Sequence, residues 1–175
     1  MIFLYQIAIR LFFAGIFLSG FFNKKARLWI SGRKNIFNRL SLLLPATNEK
    51  KMMIWFHCSS LGEFEQARPL IERIKKQEIN TKILITFFSP SGYEIRKNYE
   101  GADYIFYLPL DTKKNAQKFI SLIKPTAVFF IKYDFWYNYL NELHQQKIPT
   151  YLVSANFRQE QFDNLYGIFL NKVLS

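Results

Sequence analysis

Between residues 52 and 153, short apolar runs of strand length alternate with amphipathic stretches, and that alternation admits few folds. The runs cover 52–56, 82–88, 104–108, 126–131 and 150–153, each too short for a buried helix. They are apolar almost throughout, the pattern of strands covered on both faces. Between them the spacing predicts helices over 63–76, 93–99, 134–146 and 161–174, and one more, capped by Asp111 or Thr112, that ends near Ile123. Phe64, Ala67, Leu70, Ile71 and Ile74 form the apolar stripe of the first helix. The expected architecture is α/β: a Rossmann-like parallel sheet with helices on both faces.

In such a sheet all carboxyl ends of the strands face one way, so the polar residues following them converge on one crevice. The first end supplies Ser59, Ser60 and Glu63, and the second Thr86, Ser89, Ser91 and Gly92. The third supplies Asp111, the fourth Lys132 and Asp134, and the fifth Ser154, Asn156 and Arg158. Singly, each reads as cap or turn chemistry; five ends together predict a ligand cleft. The stretch 55–63, WFHCSSLGE, is the most informative. Ser59 or Ser60 can cap the helix that follows, and Gly62 allows a tight turn or close approach of a ligand. Glu63 falls at the helix start, where the dipole favours a negative carboxylate and hence a base. It reads equally as an ordinary first-turn carboxylate. The dinucleotide fingerprint, the phosphate loop and the G-x-S-x-G elbow are all missing, which disfavours a nicotinamide dehydrogenase, an ordinary nucleotide hydrolase and a serine hydrolase.

Residues 1–22 form an apolar segment near the roughly 20 residues that span a bilayer. Arg10 interrupts it at a cost of about 2.5–3.5 kcal/mol on insertion scales, which points to an interfacial or shallowly inserted helix. Lys24, Lys25, Arg27, Arg33, Lys34 and Arg39 follow before the first acid, Glu49. This cluster is expected to hold the domain on the cytoplasmic side of a membrane and to attract anionic headgroups. Arg10, Lys24, Lys25, Arg33 and Lys34 would face anionic lipid, the last four at about 1 kcal/mol each. A buried helix followed by a solvated basic loop is the other reading. The expected organisation is a membrane-associated helix over 1–22, a basic connecting segment over 23–51 and the α/β domain over 52–175. A net charge of +11 and a pI near 9.7 imply an anionic partner. Nucleic acid is disfavoured, because the charge gathers beside an apolar helix before Glu49 instead of forming a stripe with exposed aromatics. One cysteine, Cys58, excludes an internal disulfide, and two histidines without a C-x-x-C pair leave a metal site unsupported.

Six segments in order resemble the 3-deoxy-D-manno-octulosonic acid (Kdo) transferases. The stretch HCSSLGEFEQARPLIERIK (57–75) resembles their H-x-x-S-x-G-E motif. It is joined by KARLWISGRK (25–34), ITFFSPSGYEIRKNY (85–99), YLPLDT (107–112), IKYDFWYNYL (131–140) and IPTYLVSANFR (148–158). The resemblance implies the acceptor-side half of a glycosyltransferase-B fold. It implies transfer of Kdo from CMP-Kdo to a phosphorylated lipid A precursor (lipid IVA) in lipopolysaccharide biosynthesis, with no cofactor. Glu63 matches the family's base. Ser60, Gly62, Ser91, Gly92, Lys132, Asp134, Trp136, Asn138 and Arg158 fall where substrate contacts are expected. The tract from Lys132 to Asn138 stands where many members have E-T-E-L-W-P-N, so Lys132 replaces a glutamate; it is expected to meet a phosphate or the donor carboxylate instead. Members carry a second Rossmann-like domain for the donor. The 175 residues are therefore expected to be the acceptor half, with little activity alone. The alternatives are a non-catalytic membrane-bound binding module or, less favoured, a basic domain associated with nucleic acid.

Overall fold

All five apolar runs form strands, and the helices between them cover both faces of one sheet. The computed structural model describes residues 2–44, 52–77, 80–132 and 134–154. Three helices come first: α1 (Ile2–Ser19), α2 (Lys24–Arg33) and α3 (Ile36–Leu43). The sheet domain follows as β1 (Met52–Cys58), α4 (Leu61–Gln77), β2 (Thr81–Phe87), α5 (Pro90–Arg96), β3 (Tyr104–Tyr107), α6 (Lys113–Ile123), β4 (Ala127–Ile131), α7 (Tyr137–Gln145) and β5 (Thr150–Val153). The strands are all parallel in the order β3-β2-β1-β4-β5. The expected helix over 161–174, with Asn156 and Arg158, lies outside the described residues.

Successive side chains of a strand point to opposite faces, and β1 shows it. Met53 and Trp55 enter a core shared with α3, α6 and α7, whereas Phe56 and Cys58 enter a second core against α4. Trp55 is fully buried, with edge-on contacts to Phe119, Phe130 and Tyr139 at 5.1, 5.5 and 5.8 Å between ring centres. Phe64, Ala67 and Ile71 of α4 are likewise sealed.

Element boundaries shift where a cap comes from an unexpected place. β1 continues to Cys58 because it pairs with β2 over its whole length. The helix expected over 93–99 starts at Pro90, since the Ser89 side chain accepts from the Ser91 N–H and Pro90 fits the first turn. Thr112, not Asp111, caps α6. Asp111 instead accepts the backbone N–H groups of Asn138 and Tyr139 at 3.2 Å each and so caps α7 from across the fold. That cap is why α7 begins at Tyr137 and not at Asp134 as the spacing suggested.

α1 is fastened to the domain by polar groups along one side. Tyr5 donates its hydroxyl to Asp111, and Gln6 donates to the Asn138 side-chain oxygen at 2.7 Å. Nearby, Phe12 stacks on Phe88 at 6.0 Å and Phe13 lies 6.1 Å from Trp29. Apart from Arg10, much of its remaining surface is apolar and exposed, from Phe3 and Leu4 through Leu11 to Phe17 and Leu18, and Phe22 just beyond is 93% exposed. Among the described residues no single helix is long and apolar enough to cross a membrane; α1 and α2 meet that criterion only as a pair bent by 120°.

Candidate functional site

After β1 the chain leaves toward α4 on one face, and after the neighbouring β4 it leaves toward α7 on the other. This divergence is the topological switch point, where open α/β sheets hold their ligands. Ser59 bridges the two departing loops. Its backbone N–H donates to the Glu63 carboxylate, and its hydroxyl donates to Asp134 Oδ2. Burial raises the Asp134 carboxyl well above the usual range; the Ser59 hydroxyl counters this, and the charge of Glu63 raises it further.

His57 lies beneath the pair with its tautomer set by its neighbours. Trp136 Nε1 is 3.0 Å from His57 Nε2, and an indole can only donate. Nε2 therefore accepts, and Nδ1 carries the hydrogen toward Thr86 Oγ1 at 2.9 Å, an oxygen that also accepts from Trp55 Nε1 at 2.8 Å. Burial, reinforced by the charge of Arg33, pushes the imidazole down to about 3. Because His57 is neutral, the 3.4 Å approach of Asp134 Oδ2 to His57 Nε2 is a contact and not an ion pair. Cys58 is sealed alongside, its thiol raised by burial and then by Glu63 and Asp134, which makes it a poor nucleophile.

Not every expected residue reaches this crevice. Ser60 opens α4: its carbonyl takes the Phe64 N–H at 3.1 Å, and its hydroxyl lies 3.5 Å from the Glu63 nitrogen. Gly62 is exposed in the first helical turn without a positive φ, so no tight turn demands it, and the space around it is open. Lys132 follows β4 in the left-handed region, φ 62°, its N–H on the Val153 carbonyl at 2.8 Å. Trp136 joins the crevice through His57 and packs 4.7 Å from Phe88. Ser91 is exposed beside Ser89. Gly92, expected as a contact, is buried, and a Cβ there would come within 2.3 Å of the Phe87 ring, so packing explains this glycine. Asn138 is also turned away from a ligand: its oxygen takes Gln6, and its amide donates to the Asp111 carbonyl at 2.8 Å. Arg10, Lys24, Lys25 and Lys34 are exposed. Arg33, expected with them, is half-buried and donates to the carbonyls of Trp29, Phe88 and Leu108. Sequence reasoning placed Ser59 at the edge of the crevice but gave no role to His57, which heads the very stretch that carried the resemblance.

A doubly covered parallel sheet with two carboxyls joined through Ser59 at its switch point defines a Rossmann-like α/β domain with a ligand crevice. Residues 34–175 match the family model described as 3-deoxy-D-manno-octulosonic-acid transferase (kdotransferase), and the chain belongs to that family. The 3-deoxy-D-manno-octulosonic acid transferase of Aquifex aeolicus is 29% identical over 142 residues, covering 79% of this chain and 36% of that protein. That of Haemophilus influenzae is 27% identical over 103 residues, 58% of this chain and 24% of that one. A probable mitochondrial 3-deoxy-D-manno-octulosonic acid transferase of Arabidopsis thaliana is 30% identical over 111 residues, 63% and 25%. The chain thus spans about a quarter to a third of the length of these relatives.

Proposed function

We propose that this chain is the acceptor-binding part of a glycosyltransferase that moves Kdo from CMP-Kdo to a phosphorylated lipid A precursor. Glu63 serves as the general base in this reading. The pairing of Glu63 with Asp134 through Ser59 at the switch point carries it. A base must lie within hydrogen-bond reach of the acceptor hydroxyl whose proton it takes, and Glu63 lies beside open space at Gly62. Asp134, its carboxyl raised by burial and by the charge of Glu63, is joined to Glu63 through Ser59. Lys132, at the end of β4, faces the anionic donor or a phosphate. No cofactor takes part. The exposed apolar face of α1 and the cations Arg10, Lys24 and Lys25 rest on the cytoplasmic leaflet of the inner membrane, where such an acceptor resides.

The test supplies CMP-Kdo, lipid A precursor and a donor domain in trans, and follows transfer of radiolabelled Kdo. Glu63→Gln should lower turnover by roughly 10²–10⁴-fold while leaving acceptor binding to the chain intact. Acceptor binding without turnover by the native pair would favour a non-catalytic binding module. Absence of acceptor binding would remove the reading altogether.

A further inference from the structure

Arg33 is a half-buried cation without a carboxylate partner among the described residues. Its guanidinium stands 3.7 Å over the Trp29 ring, with Phe88 and Tyr107 at 5.0 and 4.8 Å, and burial pulls it down to about 9, so it stays charged at neutral pH. Three of its N–H groups go to backbone carbonyls, and a guanidinium has five. A buried charge is costly unless something of opposite sign reaches it.

Beside Arg33 runs a groove of about 570 Å³ between α2, α3 and the loop after β3, lined also by Lys34, Lys118, Asn38, Phe13 and Ile30 and by no acidic residue. Neither lysine is in an ion pair among the described residues, and Lys118 leans over the Phe37 ring at 4.7 Å. Asn35 heads α3 in the left-handed region, φ 53°, with no side-chain cap, and it and the first turn of α3 line the groove. An apolar slot of about 390 Å³ adjoins it, lined by Phe17, Phe21 and Ile30, and the two cavities share Ile30 and Lys34.

We propose that the groove seats the phosphate monoester of a membrane lipid, gripped by Arg33, Lys34 and Lys118, with an acyl chain of the same molecule in the slot beside it. Three cations without an acid suit a monoester, which carries about −1.5 to −2 at neutral pH, better than a singly charged diester. The shared wall suits an amphipathic molecule better than free phosphate. This deepens the acceptor-side reading and rests on it for which lipid is meant.

The test uses the full chain and phosphatidylcholine vesicles carrying either phosphatidic acid, a monoester, or phosphatidylglycerol, a diester, at matched surface charge. The native chain should favour the phosphatidic acid vesicles. Lys34→Gln with Lys118→Gln should erase that preference at about fivefold per lysine, with circular dichroism unchanged. Lys24→Gln with Lys25→Gln should weaken binding to both vesicles alike. Equal binding of the native chain to both lipids, or an equal loss for both in the Lys34/Lys118 variant, overturns the proposal. So does competition by inorganic phosphate at the concentration that saturates vesicle binding, which would mark a free-phosphate site. None of these outcomes bears on Kdo transfer, which is read with the labelled sugar.

Discussion

Trp136 settles the protonation of His57 by being a donor and nothing else. Nitrogen-15 NMR of the native chain should therefore show the Nδ1–H tautomer of His57 through neutral pH; an Nε2–H signature would contradict the hydrogen-bond assignment. Trp136→Phe takes the donor away and leaves a buried acceptor facing apolar surface, so urea unfolding should report a loss of about 1–3 kcal/mol. Two glycines of the resemblance separate in the same assay. Gly92→Ala forces a methyl into the Phe87 ring and should cost about 1–3 kcal/mol. Gly62→Ala meets open space inside a helix and should be neutral or stabilising by up to about 1 kcal/mol. Both looked alike in the sequence, because a glycine kept for packing and one beside a crevice differ only in what lies opposite them in space. Glu63 was legible, since a carboxylate at a strand–helix junction is a local pattern. His57 was not: its role comes from Thr86 on β2 and from Trp136 beyond β4.

At the scale of elements, the strands could be read from composition, whereas the helix starts could not all be. A buried parallel strand is apolar along its own length, so its signal is local. The start of α7 depends on Asp111, on the loop after β3, and no window around Tyr137 contains that residue. Asp134, read as the first residue of that helix, lies before it and meets Ser59. Asp111 joins three elements, holding Tyr5 of α1 and the first turn of α7 from the approach to α6. Asp111→Ala should cost about 1–3 kcal/mol as lost cap and buried partner together. A double-mutant cycle pairing Tyr5→Phe with Asp111→Asn should show a coupling of about 0.5–3 kcal/mol; strict additivity would mean that α1 is not fastened there.

For the molecule as a whole, buried titratable groups pull stability in opposite directions with pH. His57 falls from 6.5 to about 3 on folding, so between those values the unfolded chain binds the extra proton and stability rises with pH. Burial lifts Asp111 from 3.8 to about 6, so between those values the folded chain binds the extra proton and stability falls with pH. Each slope reaches at most about 1.4 kcal/mol per pH unit, and the two largely cancel. Asp111→Asn removes one of them, so its urea midpoint should fall more steeply than that of the native chain as the pH drops from about 6 to about 4. An unchanged slope would mean that Asp111 is ionised when folded. The anchoring of α1 has one more practical meaning. A version trimmed of its first 22 residues for solubility would lose Tyr5 and Gln6, and with them the outer support of the loop that starts α7. Such a trimmed protein would report on a loosened crevice, so a faithful assay of this chain keeps the arm in place.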